Sequence, residues 1–526
     1  MTHARTLLLA GTAFAALIPG PGQAEPPAEP FALTPPDLPG MSTGYLQPEA
    51  TNEARIGTRQ ALDDDEVGTG VQTYDGALSF RGYWPYQLGL SLSAFDDPLA
   101  EPFEGNDRNF TLGSIGLDGK YRLYETDRLG VAVEGSVAYL KYGFDGAEEK
   151  EDLVAATLAL PATYRLSPTL FVNGEIGLTT FPDEAQELPA PGTRSFVALG
   201  AGWQPTNRIT VFGSAKAILR EDDDGPEGDH NLIYTAGARY ALTPQVAATG
   251  YVANGLADTP VLDDLTYFPS RDELVFGAAL TFVPSGKRFN IPRYGDVDVA
   301  AVDRTIVFGD GVTLMGPETI GSNELRLNLS AGTSGDNRMF AAVSPDPDFQ
   351  IELFLENYAL DEGTRFRTEE DEDTRYGFGA RYQALSEAEG DMASLGGRVI
   401  LGRDIEEPTL GVVFAEAALA KQLTPQFELT ANPKLAAYTG EEVYAFGLGA
   451  EYAISDRLHA VAEASFVNDD RDGIWAVGLR HTFPEALTAI DVYATNAAGR
   501  TGVGSMLAGE TQIGASFIWQ TPFRVF

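Results

Sequence analysis

The chain contains no cysteine, so neither a disulfide, a thiolate metal site nor a cysteine nucleophile can belong to it. It is also poor in cations, with 36 Lys and Arg against 76 Asp and Glu and a net charge of −40. Nucleic acid is therefore excluded as an expected partner, because binding it requires basic side chains that neutralise phosphate. No apolar run reaches the roughly 20 residues a membrane-spanning helix needs. Nor is there a phosphate-cradling loop or a paired-histidine metal motif, so no cofactor is expected. What is present suits an ordered protein: 44% of the residues are apolar and 10% aromatic, well above the composition of acidic disordered chains.

The compartment is written at the N-terminus. Arg5 precedes an apolar run over residues 7–18, followed by Pro19, Pro21, Gly22 and Ala24, which is the order of a secretory signal cleaved after Ala24. No cysteine follows that point, so lipidation there is not expected. A chain exported in this way, with no spanning helix left, can enter a membrane only as closed β-structure.

Two stretches read as copies of one another. LGAGWQPTNRI begins at Leu199 and LGAEYAISDRL at Leu448; Glu53-Ala54-Arg55-Ile56 is matched by Glu324-Leu325-Arg326-Leu327. The offset between matched residues falls from 271 at Glu53/Glu324 to 261 at Lys120/Arg381, 249 at Gly200/Gly449 and 237 at Gly277/Gly514. It falls in steps, as it must if length is lost from loops, where few packing constraints apply. The chain is thus a tandem duplication.

Within each copy the polarity alternates. Val197, Leu199, Ala201 and Trp203 share one face against Ala198, Gly200 and Gly202, and Trp475, Val477 and Leu479 share one against Ala476, Gly478 and Arg480. Short turns at Trp84-Pro85-Tyr86, Glu125-Thr126-Asp127-Arg128, Leu166-Ser167-Pro168, Gln204-Pro205-Thr206-Asn207 and Leu242-Thr243-Pro244 alternate with long polar stretches at 96–108, 144–152, 182–193, 220–230 and 256–272. Apolar-out, polar-in strands with short turns on one side and long loops on the other are the pattern of a transmembrane barrel. The intervals give about twelve antiparallel strands per copy, an even number that returns both ends of each copy to the short-turn, periplasmic side.

On these residues the chain resembles a Gram-negative outer-membrane β-barrel of the porin-like kind. The terminal Phe526, preceded by the outward face Ile513, Ala515, Phe517 and Trp519, resembles the signal such proteins present to the barrel-assembly machinery. Pro522 and Arg524 interrupt its alternation. The resemblance implies outer-membrane lipid and lipopolysaccharide as surroundings, with divalent cations as bridges to the acidic loops.

The all-β fold expected is two closed units rather than one barrel of about 24 strands, which would be wide enough to need a plug. The organisation read from the sequence is a signal at 1–24, a Pro-rich periplasmic segment at 25–47, barrel repeats at 48–286 and 317–526, and a periplasmic linker at 287–316. Alternation directs Lys120, Arg239, Arg381, Arg480, Glu451 and Glu463 inward, together with Asp118 and Glu175. These residues are candidates for a charged constriction in a passive pore for small polar or ionic solutes. The alternative is a ladder of ion pairs that fills a non-conducting, structural barrel. Asp222, Asp224, Asp469 and Asp472 lie in corresponding acidic loops and are weak candidates for calcium-like cations, since they lack EF-hand spacing. Enzymatic activity is not expected: His230, His459 and His481 lack a Ser/Asn pattern that would make a hydrolase site.

Overall fold

The computed structural model describes residues 37–61, 72–95, 110–144, 151–182, 184–185, 188–189, 192–219, 232–243, 245–255, 258–264, 274–283, 309–358, 373–389, 391–404, 411–438, 441–468 and 471–523. It contains two closed antiparallel barrels of twelve strands each, one per sequence repeat. In the first, the opening strand Thr51–Ala61 pairs with the closing strand Val275–Phe282, in register from Ala54↔Phe282 to Ala61↔Val275. In the second, Glu324–Gly332 pairs with Ala508–Pro522 from Glu324↔Pro522 to Gly332↔Gly514. Each copy closes on itself, which removes the exposed strand edges an open sheet would carry. A short two-stranded hairpin, Glu184–Ala185 with Leu188–Pro189, decorates one long connection of the first barrel.

Four of the short turns are closed by hydroxyl side chains. Thr126 Oγ1 accepts the amides of Arg128 and Leu129 at 3.4 and 3.0 Å, and Thr206 does the same for Arg208 and Ile209 at 3.3 and 3.1 Å. Thr243 and Ser455 repeat the device. A side-chain oxygen that mimics a carbonyl two or three residues back stabilises a tight reversal with no need of glycine.

The outward faces are those expected. Leu199 is 69% exposed and Trp203 53%, while Phe196 and Ala198, on the opposite face of the same strand, are buried; Val477, Leu479, Ile513 and Phe517 are similarly exposed in the second barrel. Inward aromatics lie on glycines of the neighbouring strand. A Cβ at Gly277 would collide with the Tyr251 ring, and one at Gly514 with the ring of Tyr493. These are the same contact at matched positions of the two copies. Gly514→Val should expel the ring at a cost of about 1–3 kcal/mol, seen as a lower melting temperature of the folded species in heat-modified electrophoresis.

Two expected locations are corrected. The described part of the N-terminal segment, residues 37–47, is not a tether outside the barrel: Leu38, Met41, Thr43, Tyr45, Leu46 and Gln47 are buried, inside the first barrel. Similarly, residues 309–320 enter the second barrel, burying Val312, Thr313, Leu314, Met315 and Ile320. Each copy therefore carries a plug segment immediately before its first strand. The signal segment, residues 25–36, most of the acidic loops and Phe526 lie outside the described residues.

Candidate functional site: two occupied lumens

The matched basic residues of the two copies all point inward, as alternation requires, and in both copies they hold the same residue of the plug. In the first barrel, Lys120 Nζ donates to Asp37 Oδ1 at 3.0 Å and Arg239 Nη2 donates to the Asp37 carbonyl at 3.2 Å. In the second, Arg381 Nη1 and Nη2 grip the Asp310 carboxylate at 2.8 and 3.1 Å, and Arg480 Nη2 donates to the Asp310 carbonyl at 2.7 Å. One wall cation thus takes the carboxylate and a second takes the main chain of an aspartate that precedes the first strand in each repeat. The charges that the sequence suggested as a constriction are engaged in fastening the plug.

Apolar packing completes the seat. Leu38 and Met41 cluster with Phe171, Ala198, Phe212 and Tyr251. They lie over Gly200, where a Cβ would sit 2.8 Å from Met41 Sδ; at the matched Gly449, a Cβ would sit 3.2 Å from Leu314 Cδ1. The glycine shared by the LGAGW and LGAEY repeats is where the plug approaches the wall.

A second segment enters each lumen from the long-loop rim. Asn254 ends its strand by donating to the Leu232 carbonyl and accepting the Tyr234 amide at 2.8 and 2.7 Å; Asn496 makes the same pair with Gly473 and Trp475 at 2.9 and 2.7 Å. Beyond each asparagine the chain turns inward. The expected external loop 256–272 is therefore corrected for its described residues 258–264, where Val261, Leu262 and Asp263 are buried. Burial of an acidic loop is made possible by wall cations: Asp263 pairs with Lys216 at 2.7 Å, and Asp258 with Arg55 and Arg59. In the second barrel, Val503, Met506 and Leu507 join an apolar cluster with Ile400, Phe414 and Val443.

Wall carboxylates clamp the backbones of these inserts. Glu463 accepts the amides of Val312 and Thr313 at 2.6 and 2.7 Å and the Thr313 hydroxyl at 2.7 Å, while Glu356 accepts the amides of Arg500 and Thr501 at 2.5 and 3.2 Å. Lys434 Nζ bridges the two inserts, donating to the Thr313 carbonyl at 2.7 Å and Ser505 Oγ at 3.0 Å. Charge-assisted hydrogen bonds of this kind contribute roughly 1.5–3 kcal/mol each. In the first barrel Glu175 Oε2 accepts the Ser42 amide at 3.1 Å.

Around the second plug runs a ladder of ion pairs. Arg381 Nε meets Glu352 Oε1 at 2.8 Å, Arg398 Nη1 meets Glu352 Oε2 at 3.1 Å, and Arg398 Nε meets Glu416 Oε1 at 2.7 Å. Arg480 is fixed by Asp491 at 2.8 and 3.0 Å. Burial would push the Asp310 carboxyl up, but the guanidinium groups of Arg381, Arg326 and Arg398 outweigh it and hold the group well below the usual carboxylate range. Its contribution to closure is thus complete above the ordinary value of about 3.9 and is lost only as pH falls through the lowered one. Acidification from about pH 8 to 5 should leave the second plug seated, as read by a Met315→Cys probe that stays protected relative to an exposed cysteine labelled at the same pH.

Of the remaining candidates, Glu451 faces inward near the short-turn rim and meets His459 Nδ1 at 2.7 Å, while His481 stacks edge-on against Phe483. Asp222, Asp224, Asp469 and His230 lie outside the described residues; Asp472 is exposed. No group of three acidic or histidine side chains placed to hold a metal occurs among the described residues. A cavity of about 150 Å³ remains in the first lumen, bordered by Asp37, Lys120, Glu175, Lys216, Arg239 and Asp258. In the second, beside Asp310, Arg326 and Arg480, about 30 Å³ remains, room for a water or two.

No family model and no curated protein matches the sequence. Among solved structures, the chain is similar to a KdgM porin, at 9% identity over 43% of this chain and 98% of that one with a TM-score of 0.27. It is similar to a NanC porin at 8% over 44% and 98%, TM-score 0.29. It is also similar to outer membrane phospholipase A from Escherichia coli, at 14% over 45% and 94%, TM-score 0.28.

Proposed function

We propose that the chain is an integral outer-membrane protein of a Gram-negative bacterium, exported with residues 1–24 as its signal. On this reading its first barrel is a narrow channel for small polar or ionic solutes, closed at rest by residues 37–47 and 258–264. The observation that carries this reading is the first lumen itself, where a cavity of about 150 Å³ lined by charged side chains lies against the plugs. The second barrel, in which only about 30 Å³ remains beside Asp310, Arg326 and Arg480, serves as a sealed structural partner. A wholly non-conducting, surface-structural protein is the second reading, favoured by the occupation of both lumens. Outer-membrane lipid and lipopolysaccharide, bridged by divalent cations, and the barrel-assembly machinery acting on Phe526 are the partners this placement implies. No enzymatic step is part of either reading.

Planar-bilayer recording of the refolded full-length protein tests the function. Rare, brief openings support a gated channel, and current that never appears even after the first plug is removed supports the structural reading. Placement in a membrane has its own test. Leu199→Arg should destabilise a bilayer-embedded barrel by about 2–4 kcal/mol near the midplane, whereas in water so exposed a change shifts stability by about 0.5 kcal/mol or less. Denaturant titration in lipid vesicles separates the two.

A further inference from the structure

We infer that Asp258 is the latch of the first barrel, joining both plugs to the wall, and that the first barrel opens independently of the second because the second has no counterpart of this residue. The inference rests on the channel reading above. Asp258 lies in the segment that enters from the long-loop rim, and its side chain is only 4% exposed. One carboxylate oxygen accepts the Gly40 amide of the N-terminal plug at 2.6 Å. The other pairs with Arg55, and Arg59 stands 3.6 Å from the first oxygen; both arginines belong to the opening strand Thr51–Ala61. A single carboxylate therefore ties together a plug from each rim and the wall.

Counting on from the matched asparagines Asn254 and Asn496, the residue that corresponds to Asp258 is Arg500. Its charge is reversed, and the junction it makes is different in kind. Arg500 Nε donates to the Val312 carbonyl at 3.0 Å, its guanidinium lies 4.6 Å from the Tyr493 ring centroid, and the backbone beside it is held by Glu356. Apolar packing of Val503, Met506 and Leu507 backs this junction, so loss of the Arg500 side chain leaves the segment seated. In the first barrel the latch borders open space instead: Asp258, Gly40 and Asp37 line the 150 Å³ cavity, so release of the latch would join the cavity to the space vacated by the plugs.

Single-channel recording of Asp258→Ala, Arg500→Ala and a variant with residues 38–46 and 258–264 replaced by Gly/Ser tests the inference. Heat-modified electrophoresis is the check that each barrel is folded, and Asp258→Asn is used if the alanine variant fails it. Loss of one charge-assisted contact predicts an increase in open probability on the order of tenfold to a hundredfold for Asp258→Ala, with Arg500→Ala indistinguishable from the unsubstituted protein. If the Gly/Ser variant conducts while Asp258→Ala stays at the basal level, the latch is refuted and the channel reading stands. Equal opening by Arg500→Ala would refute the asymmetry. Silence of every variant, Gly/Ser included, removes the channel reading and the latch with it.

Discussion

Arg381→Ala should destabilise the second barrel by about 3–5 kcal/mol, the cost of removing one partner from a buried ion-pair network. Arg381 is fully buried and serves Glu352 of the wall and Asp310 of the plug at once. Its loss cuts the link between them, leaving Glu352 with Arg398 at 3.1 Å and Asp310 with Arg326 at 3.9 Å. The effect should be confined to the second barrel, because Lys120 at the matched position of the first reaches Asp37 and Glu134 and is untouched. Denaturant titration with a tryptophan probe in each barrel reads the two transitions separately. A loss below about 1 kcal/mol, the value of an exposed pair, would mean that water enters the ladder.

The second large effect concerns conduction. Replacement of residues 38–46 and 258–264 by Gly/Ser segments deletes Leu38 and Met41 from their apolar seat, unfastens the chain at Glu175 and Asp258 and removes the pairing of Asp263 with Lys216. A barrel of twelve strands is wider than the eight-stranded barrels whose side chains fill the interior, and narrower than open sixteen-stranded porins, so on the channel reading the plugs decide whether ions pass. Steady, ohmic current is expected from this variant, against rare openings in the unsubstituted protein. The selectivity of that current should change when Arg239 is replaced by Glu, since a fixed charge in a confined lumen dominates ion energies there.

Much of this architecture was legible in the sequence. The alternation around Leu199 and Leu448 set strand faces, the spacing of short turns and long loops set the strand count, and the falling offset placed length changes in the loops. The inward direction of Lys120, Arg239, Arg381 and Arg480 follows from that alternation alone. The plugs were not legible, because a segment without regular structure has no period, and its burial depends on partners distant in the chain. Asp258 and Asp263 sit in an acidic stretch that composition assigns to solvent; only closure of the barrel brings Arg55, Arg59 and Lys216 around them. One signal was available. Asp37 and Asp310 precede the matched Arg55 and Arg326 by similar distances, and each is followed by a leucine and a methionine, so the repeat extends upstream of the first strands.

The absence of cysteine makes the most direct measurement a clean one. Single probes at Met41→Cys and Met315→Cys, inside the first and second lumens, are compared with Thr206→Cys on an exposed turn, using a small methanethiosulfonate reagent on the folded, lipid-embedded protein. Occupied lumens predict rapid labelling at 206 and protection at 41 and 315 until the barrels are unfolded. Labelling at 41 and 315 as fast as at 206 would mean that the lumens are open and the plugs lie outside them.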